Sequence, residues 1–376
     1  MNPTPPAAPS RRGDIAFLLG LAVIGGSYLV LILAMLAADA FYTTPDHLWE
    51  ALQSREIRYA VKLSLVSCCV TAILSVWVAV PLGYLMSRWD DTPIRDFLER
   101  LARPVEQVGE RLWLKRIRWF ATVLRLLNPK LLIDALLDIP IVLPPLVIGL
   151  SLLIFFQTPI GRAIEDVAQH HLGYALTRVV LPVLAAACVL ALLRVGGWRV
   201  GQLGWLLPVA TGLLVFLLLG FTPWGERLQA TLQRQLAGPI TYGVPSVILA
   251  QFAVACAFSV RTMRVTFDQI TPRQEQVALT LGCSRSQAFW LVVLPEARRG
   301  MITAGTLAWA RALGEFGPIL VFSGATRLRT EVLSTTVFLE LSVGRLEAAV
   351  AVSLLMVAAA LIVLVIVRLF GLESAR

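Results

Sequence analysis

Long apolar runs constrain the fold of this chain more than any other feature. The stretches Ile15–Ala38 and Leu346–Leu369, for example, each exceed the roughly 18 residues that indicate a membrane-spanning helix. Only 15% of the residues are charged, whereas soluble proteins carry about 25%. Because backbone polar groups inside a bilayer must be satisfied within their own segment, such runs fold as helices. The sequence therefore predicts an all-α polytopic membrane protein and excludes a soluble one.

Positive charge predicts how these helices are oriented. We expect about eight transmembrane helices, at 15–38, 59–87, 131–156, 178–193, 203–221, 244–260, 301–323 and 346–369. The connections then expected in the cytoplasm include 88–130 with ten basic residues and 261–300 with six, more than any connection on the other side. Because basic loops remain inside, both termini are predicted to be cytoplasmic.

The predicted spans divide the chain into six segments. They are a disordered N-terminus at 1–14, the first two helices at 15–87, a basic cytoplasmic insertion at 88–130, the third helix and an external segment at 131–176, an inserted hydrophobic hairpin at 177–222, and a core at 223–376 that contains the loop 261–300. The first apolar run resembles a signal peptide with a cleavage site at Ala38-Asp39-Ala40. It is longer than the roughly 7–15 residues of a signal core, so we expect it to be retained.

The insertion at 88–130 combines its basic residues with an apolar stripe. Trp113, Ile117 and Phe120 recur at helical spacing beside the basic side chains. This pattern is typical of an amphipathic helix lying on anionic lipid, and equally of a solvated helix packed on its neighbours. The sequence leaves that choice open, together with the role of the hairpin at 177–222.

Prolines interrupt the third predicted span. Pro140, Pro144 and Pro145 lie within 131–156, and proline removes a backbone hydrogen bond and kinks a helix. Membrane proteins tolerate such breaks where neighbouring helices or a cavity satisfy the freed carbonyls. We therefore expect this span to line a transport pathway; a structural kink is the alternative.

A pair of more polar helices is predicted between two apolar segments, at 271–295. Pro272 suits the first turn of a helix, Gly282 ends that helix, and Ser284 caps a second helix that ends near Pro295. The second helix has an apolar side formed by Phe289, Leu291, Val292 and Leu294. A short amphipathic helix exposed beside a membrane is suited to a groove in another protein.

These residues resemble a known family. The run Glu275-Gln276-Val277-Ala278, followed by Gly282 and by Leu294-Pro295, resembles the cytoplasmic loop of ABC-importer permeases. The run Ala310-Arg311-Ala312-Leu313-Gly314-Glu315-Phe316-Gly317 looks like the molybdate, tungstate and sulfate branch of those permeases. Val277 departs from the small residue usual in the family. The resemblance implies the type I permease fold, here with an inserted hairpin.

The resemblance also implies partners. A separate ABC ATPase subunit is expected to dock on the loop, and an extracytoplasmic substrate-binding protein to deliver the cargo. Two permease copies are expected to form a homodimer in the lipid bilayer of the cell membrane, and a heterodimer with a second permease stays open. Because the sequence has no Walker-type phosphate loop, ATP is expected to bind the partner subunit, and no cofactor is predicted here.

Two sets of site residues follow from the resemblance. The residues predicted to couple the ATPase are Glu275, Ala278, Gly282, Ser284, Arg285, Phe289, Leu294 and Pro295. The candidates for the pathway, gate or dimer face are Pro144, Pro145, Arg311, Gly314, Glu315, Phe316 and Gly317. Glu275 and Arg285 are expected on an exposed rim. Arg311 and Glu315 share a helix face and either gate the path or only pack, while the two glycines are expected to allow close helix approach.

The predicted function is transport. We expect the permease subunit of an ATP-driven importer for a tetrahedral oxyanion, molybdate or tungstate first, with sulfate or thiosulfate as the alternative. A membrane scaffold or sensor that does not transport, and a membrane-embedded enzyme, are the rivals from other classes. No catalytic or metal-binding residues are predicted, because the three histidines and five cysteines lack metal-ligand spacing. The net charge of +9 is explained by the basic residues in the predicted cytoplasmic loops, so nucleic acid is not an expected partner.

Overall fold

A computed structural model describes residues 11–88, 129–175, 206–227 and 240–373, together with Pro182 and Ala230. In this part of the chain every regular element is helical. The elements are α1 (Arg11–Tyr42), α2 (Pro45–Gln53), α3 (Arg55–Arg88), α4 (Pro129–Val142), α5 (Pro145–Gln157), α6 (Pro159–Ala175), α7 (Leu206–Phe221), α8 (Val244–Gln269), α9 (Pro272–Thr280), α10 (Arg285–Ala288), a π-helical turn (Phe289–Val293), α11 (Leu294–Glu296), α12 (Arg298–Leu313), α13 (Gly317–Phe322), α14 (Leu333–Ser342) and α15 (Leu346–Glu373). The prediction of an all-α polytopic protein is confirmed.

Helices α3, α8 and α12 form the centre of the bundle. α3 and α8 run in the same direction, because Thr71 contacts Gln251 near the middle and Gly83 lies against Met263 near the C-terminal ends. α12 runs the opposite way and is held by buried polar contacts. The Ser259 hydroxyl, for example, donates to the Ala304 carbonyl at 3.0 Å.

The bundle has two ends that the rest of the description uses. The coupling-loop end is formed by the last turn of α3 and by residues 267–300, and its core includes Met86, Phe267 and Val293. The opposite end is formed by residues 43–59 and 323–347. There the Tyr59 hydroxyl donates to the Arg329 carbonyl at 3.0 Å.

The third predicted span is bent rather than straight. The helical axes of 133–142 and 145–157 meet at 112°. Pro144 precedes α5 in an extended conformation and Pro145 is its first residue, so the two prolines remove the backbone donors that would continue α4. The predicted kink is therefore present, while a role in lining a pathway stays a prediction.

The predicted span at 301–323 is interrupted as well. α12 ends at Leu313 and α13 begins only at Gly317, which corrects the expectation of one continuous helix. Gly314 follows the last turn, and Pro318 in the first turn of α13 cannot continue a preceding helix.

The described residues hold four helices that are long and apolar enough to cross a membrane, or five if the bent pair counts as one span. The predicted count of eight is not tested, because 178–193 lies outside the described residues except for Pro182. The insertion also lies outside them over 89–128. α8 extends to Gln269, nine residues beyond the predicted end of its span at 260, so the first part of the predicted loop 261–300 is helical.

Candidate functional site: the elbow and the α12–α13 break

Two short helices at the coupling-loop end form a compact bend, which we call the elbow (residues 272–296). α9 ends at Thr280, and the chain turns at Gly282, whose φ of +91° suits glycine because it has no Cβ to clash. Ser284 then caps the second helix. Its hydroxyl accepts a bond from the Gln287 backbone N–H at 3.2 Å, and the Gln287 side chain accepts one from the Ser284 N–H at 2.8 Å. The predicted turn and cap are confirmed.

The second helix of the elbow is not regular. A π-helical turn spans Phe289–Val293 ahead of Pro295. Because Pro295 has no N–H to donate to the carbonyl four residues earlier, the helix widens at this point, as single π turns do inside α-helices. The widening changes which side chains face the bundle.

The inward face of the elbow differs from the prediction. Ala278, Ala288 and Val293 are buried, and the Phe289 ring lies 4.7 Å from the Tyr84 ring. Phe289 therefore packs on its own chain and does not belong to an outward-facing side. Leu294 is half-buried as well.

The outward face carries a different apolar set. We call it the elbow patch, and its side chains are 56% to 80% exposed; they are Val277, Leu281, Trp290 and Leu291. Arg285 and Pro295 are exposed beside the patch, so the predicted position of Arg285 on a rim is confirmed. Of the four patch residues, sequence reasoning had placed only Leu291 on the outward apolar side.

Glu275 does not lie on the exposed rim, which corrects its predicted position. Its side chain is 13% exposed and meets the Arg88 Nε at 3.2 Å, while the Tyr84 hydroxyl donates to it at 2.6 Å. Tyr84 and Arg88 were missed from the sequence. They are about 190 residues away along the chain, and neither belongs to the loop pattern.

At the α12–α13 break, one predicted close approach is present and the other is not. A Cβ on Gly317 would lie 3.1 Å from the Leu146 backbone nitrogen and 3.3 Å from Pro145, so α13 meets the start of α5 at a glycine. Gly149 likewise lies directly against Pro318. Gly314 is exposed, and among the described residues a Cβ there would meet only carbonyls of its own helix end, so no close approach at Gly314 is present within this chain.

The predicted pair of Arg311 and Glu315 forms an ion pair across the same break. The Nη1 and Oε2 atoms are 2.9 Å apart, and Glu315 is 2% exposed. The Ser334 hydroxyl donates to the Glu315 carbonyl at 2.7 Å, and the Phe316 ring lies 5.2 Å from the Phe338 ring. The Ser334 bond and the ring contact therefore tie the break to α14; a gating role for the ion pair stays a prediction.

Within the described residues, no group of three or more His, Cys, Asp or Glu side chains is placed to hold a metal ion. The site therefore offers a surface for contact and ion pairs that hold helices together. It has exposed apolar side chains, a half-buried carboxylate held by two donors, and a broken helix with an ion pair across the break.

Known proteins similar to this chain were found by sequence and by structure. Residues 119–372 match the family described as "binding-protein-dependent transport system inner membrane component". The chain is 33% identical over 159 residues to the sulfate transport system permease protein CysW of Synechocystis sp., covering 42% of this chain and 56% of that protein. It is 37% identical over 126 residues to the molybdenum transport system permease protein ModB of Mycobacterium tuberculosis, covering 33% and 47%.

The chain spans about half the length of the curated relatives that it matches. A crystal structure of a bacterial ABC transporter involved in the import of alginate aligns over 97% of this chain and 96% of that chain, with a TM-score of 0.48 and 16% identity. The family match covers about two thirds of the sequence. The chain is therefore a multi-pass membrane protein that belongs to the family of inner membrane components of binding-protein-dependent transport systems.

Proposed function

We propose that this chain is the permease subunit of an ATP-driven importer for a tetrahedral oxyanion. The observation that carries the proposal is the family match together with the elbow patch, which is what a docked ATPase needs. Exposed apolar patches at a polar rim mark interaction sites. The sequence contains no Walker-type loop, so ATP hydrolysis belongs to a separate ABC ATPase subunit.

The cargo class follows from the relatives. Their names refer to sulfate and to molybdenum transport, and sulfate and molybdate are dianions of the same tetrahedral shape. We keep molybdate or tungstate as the first expectation and sulfate or thiosulfate as the second. Delivery by an extracytoplasmic binding protein accords with the family description.

The proposed assembly contains two permease copies around a central pathway, with both termini in the cytoplasm. α3 fits this arrangement, because Val66, Ile73 and Trp77 form an apolar stripe that is at least 60% exposed. Such a stripe faces either lipid or the second copy. In this orientation the elbow lies on the cytoplasmic side, where ATP is available.

Uptake into vesicles tests the cargo. The permease is reconstituted with its ATPase and binding protein, and ATP-dependent uptake of radiolabelled molybdate is measured in the presence of unlabelled tungstate or sulfate. We expect uptake that tungstate blocks at lower concentration than sulfate. Stronger inhibition by sulfate would favour the second expectation. An intact complex without uptake of either ion would favour a scaffold or sensor.

Co-purification tests the docking surface. Trp290→Asp places a charge in the elbow patch, and we expect it to abolish retention of the ATPase. Trp49→Asp is the matched control, because Trp49 is 66% exposed against 62% for Trp290 and lies on α2 at the opposite end. Equal ATPase retention by the two variants would contradict docking on the elbow.

A further inference from the structure

The junction between α8 and the elbow is a hinge by its backbone geometry. Ile270 and Thr271 separate α8 from α9, and both are extended, with ψ of 116° and 130°. Thr271 makes no side-chain cap bond to α9. Two extended residues between rigid helices can absorb a rotation of one helix against the other. A movement of the elbow would therefore not reach α8 unless other contacts connect the two.

Arg88 makes those contacts from the end of α3. Its Nη1 and Nη2 atoms donate to the carbonyls of Phe267 and Ile270 at 3.2 and 3.0 Å. Phe267 lies in the last turn of α8 and Ile270 directly follows the helix. Carbonyls at a helix C-terminus lack the regular donors of the helix interior, and a cation is favoured there. On the other side of the hinge, the Arg88 Nε donates to Glu275 at 3.2 Å.

Tyr84 adds a second connection of the same kind. Its hydroxyl holds the Glu275 carboxylate at 2.6 Å. Its ring lies 5.6 Å from that of Phe267 on α8 and 4.7 Å from that of Phe289 in the second elbow helix. One side chain of α3 therefore touches α8 and both halves of the elbow.

The surroundings favour a firm contact. The Arg88 and Glu275 side chains are 18% and 13% exposed, so water screens their attraction less than it does at an open surface. Charge-assisted bonds of this kind are about twice as strong as neutral ones. The planar guanidinium group also fixes the relative orientation of its acceptors, because its donors lie in one plane.

We propose that Arg88 and Tyr84 are positioning residues that clamp Glu275 across the hinge. Through this clamp a displacement of the elbow moves α3 and α8 together and does not dissipate at residues 270–271. Glu275 then acts within its own chain. The inference rests on the proposed function, in which the elbow receives the ATPase.

The first test measures the clamp without any transport. Spin labels are placed at Ser286→Cys in the elbow and Trp77→Cys on α3, in the assembled complex with the native cysteines replaced by alanine. We expect a narrow distance distribution that widens in Arg88→Gln. Arg261→Gln is the matched control: Arg261 pairs with Asp138 at 3.0 Å at the same end, and that pair does not cross the hinge. An unchanged distribution in Arg88→Gln would overturn the proposal.

The second test measures coupling. In Arg88→Gln we expect the ATPase to remain bound and to hydrolyse ATP, while the oxyanion transported per ATP falls by about tenfold, the equivalent of one charge-assisted hydrogen bond. Tyr84→Phe should act in the same direction more weakly. Loss of ATPase binding with an unchanged distance distribution would show that Arg88 faces the ATPase and would overturn the clamp. A wild-type complex that fails to transport would refute the proposed function, and the spin-label result would still decide the clamp.

Discussion

Two glutamates, one at each end of the helix bundle, are held in opposite ways. At the coupling-loop end, Glu275 accepts bonds from Arg88 and Tyr84. At the opposite end, Glu331 is fully buried, and within the part of the chain that the structure describes neither of its carboxylate oxygens has a hydrogen-bond partner. The nearby Thr336 hydroxyl donates to a backbone carbonyl at 2.9 Å instead. Glu275 has charged and polar partners, whereas Glu331 has neither at hydrogen-bonding distance among the described residues.

The absence of close partners in the described part of the chain affects the pKa of Glu331. Glu331 lies in the connector between α13 and α14, outside the membrane-spanning helices. Burial raises its pKa above the usual range, and Thr336 and Arg327 only partly oppose the shift. Arg327 is already engaged by Glu340 at 2.8 Å. The Glu331 carboxyl therefore keeps its proton to higher pH than an exposed glutamate does.

The largest predicted change in the free energy of unfolding concerns the ion pair of Arg311 and Glu315, which lies between these ends. Arg311→Ala leaves the buried Glu315 carboxylate without its partner, and removing one member of a buried pair costs about 3 kcal/mol of unfolding free energy. Thermal unfolding in detergent measures the loss. Adding Glu315→Gln should restore much of it, because the uncompensated charge disappears. A single variant with unchanged stability but altered uptake would instead identify the pair as a gate.

At the coupling-loop end, Glu275→Gln should destabilise the protein. Arg88 and Tyr84 would lose the charge that they share, at a cost of about 2 kcal/mol. The unfolding midpoint of the purified permease measures this. Glu296→Gln is the control, because Glu296 is exposed in the same elbow and should change the midpoint little. Equal midpoints for the two variants would contradict the paired environment of Glu275.

Local signals in the sequence predicted the shape of the elbow but not which side chains face outward. Gly282 and Ser284 act through their immediate neighbours, so the turn and the cap were predictable. The side-chain directions were not, because the π-helical turn at Phe289–Val293 shifts the helix register. The partners of Glu275 lie 187 and 191 residues away, and no pattern in one sequence connects them.

The sequence predicted where the third span is interrupted, but not how sharply the chain bends there. Pro144 and Pro145 predicted an interruption, yet the 112° bend depends on packing. In particular, Gly317 lets α13 approach α5. The break after α12 was missed, although Gly314, Gly317 and Pro318 stand at it, because the apolar residues on both sides were read as one span.

Glu331→Gln should stabilise the protein, whereas Glu275→Gln should destabilise it. The two variants therefore compare the two ends of the bundle directly. The raised pKa means that the folded state holds the proton more tightly than the unfolded state does. Wild-type stability therefore falls as pH rises from the unfolded pKa of about 4.3 through the raised folded value. The amide should remove this slope and stabilise the protein above that range by about 2 kcal/mol.

Unfolding midpoints measured from pH 4 to 9 test the Glu331 prediction. Glu347→Gln serves as the control, because Glu347 at the same end is exposed and should leave the pH slope of the wild type intact. A Glu331→Gln protein that keeps the wild-type slope would show that another group titrates.

The smallest predicted effect compares two glycines with the same backbone geometry at the two ends. Gly282 and Gly344 have φ of +91° and +84°, and a Cβ on either would contact nothing within 4 Å. Alanine should therefore cost each site the same conformational penalty, about 1 kcal/mol, in the unfolding midpoint. Transport per ATP should fall only for Gly282→Ala, because only that turn sets the angle between the elbow helices. Equal losses of coupling in both variants would mean that the coupling-loop end transmits no more force than the opposite end.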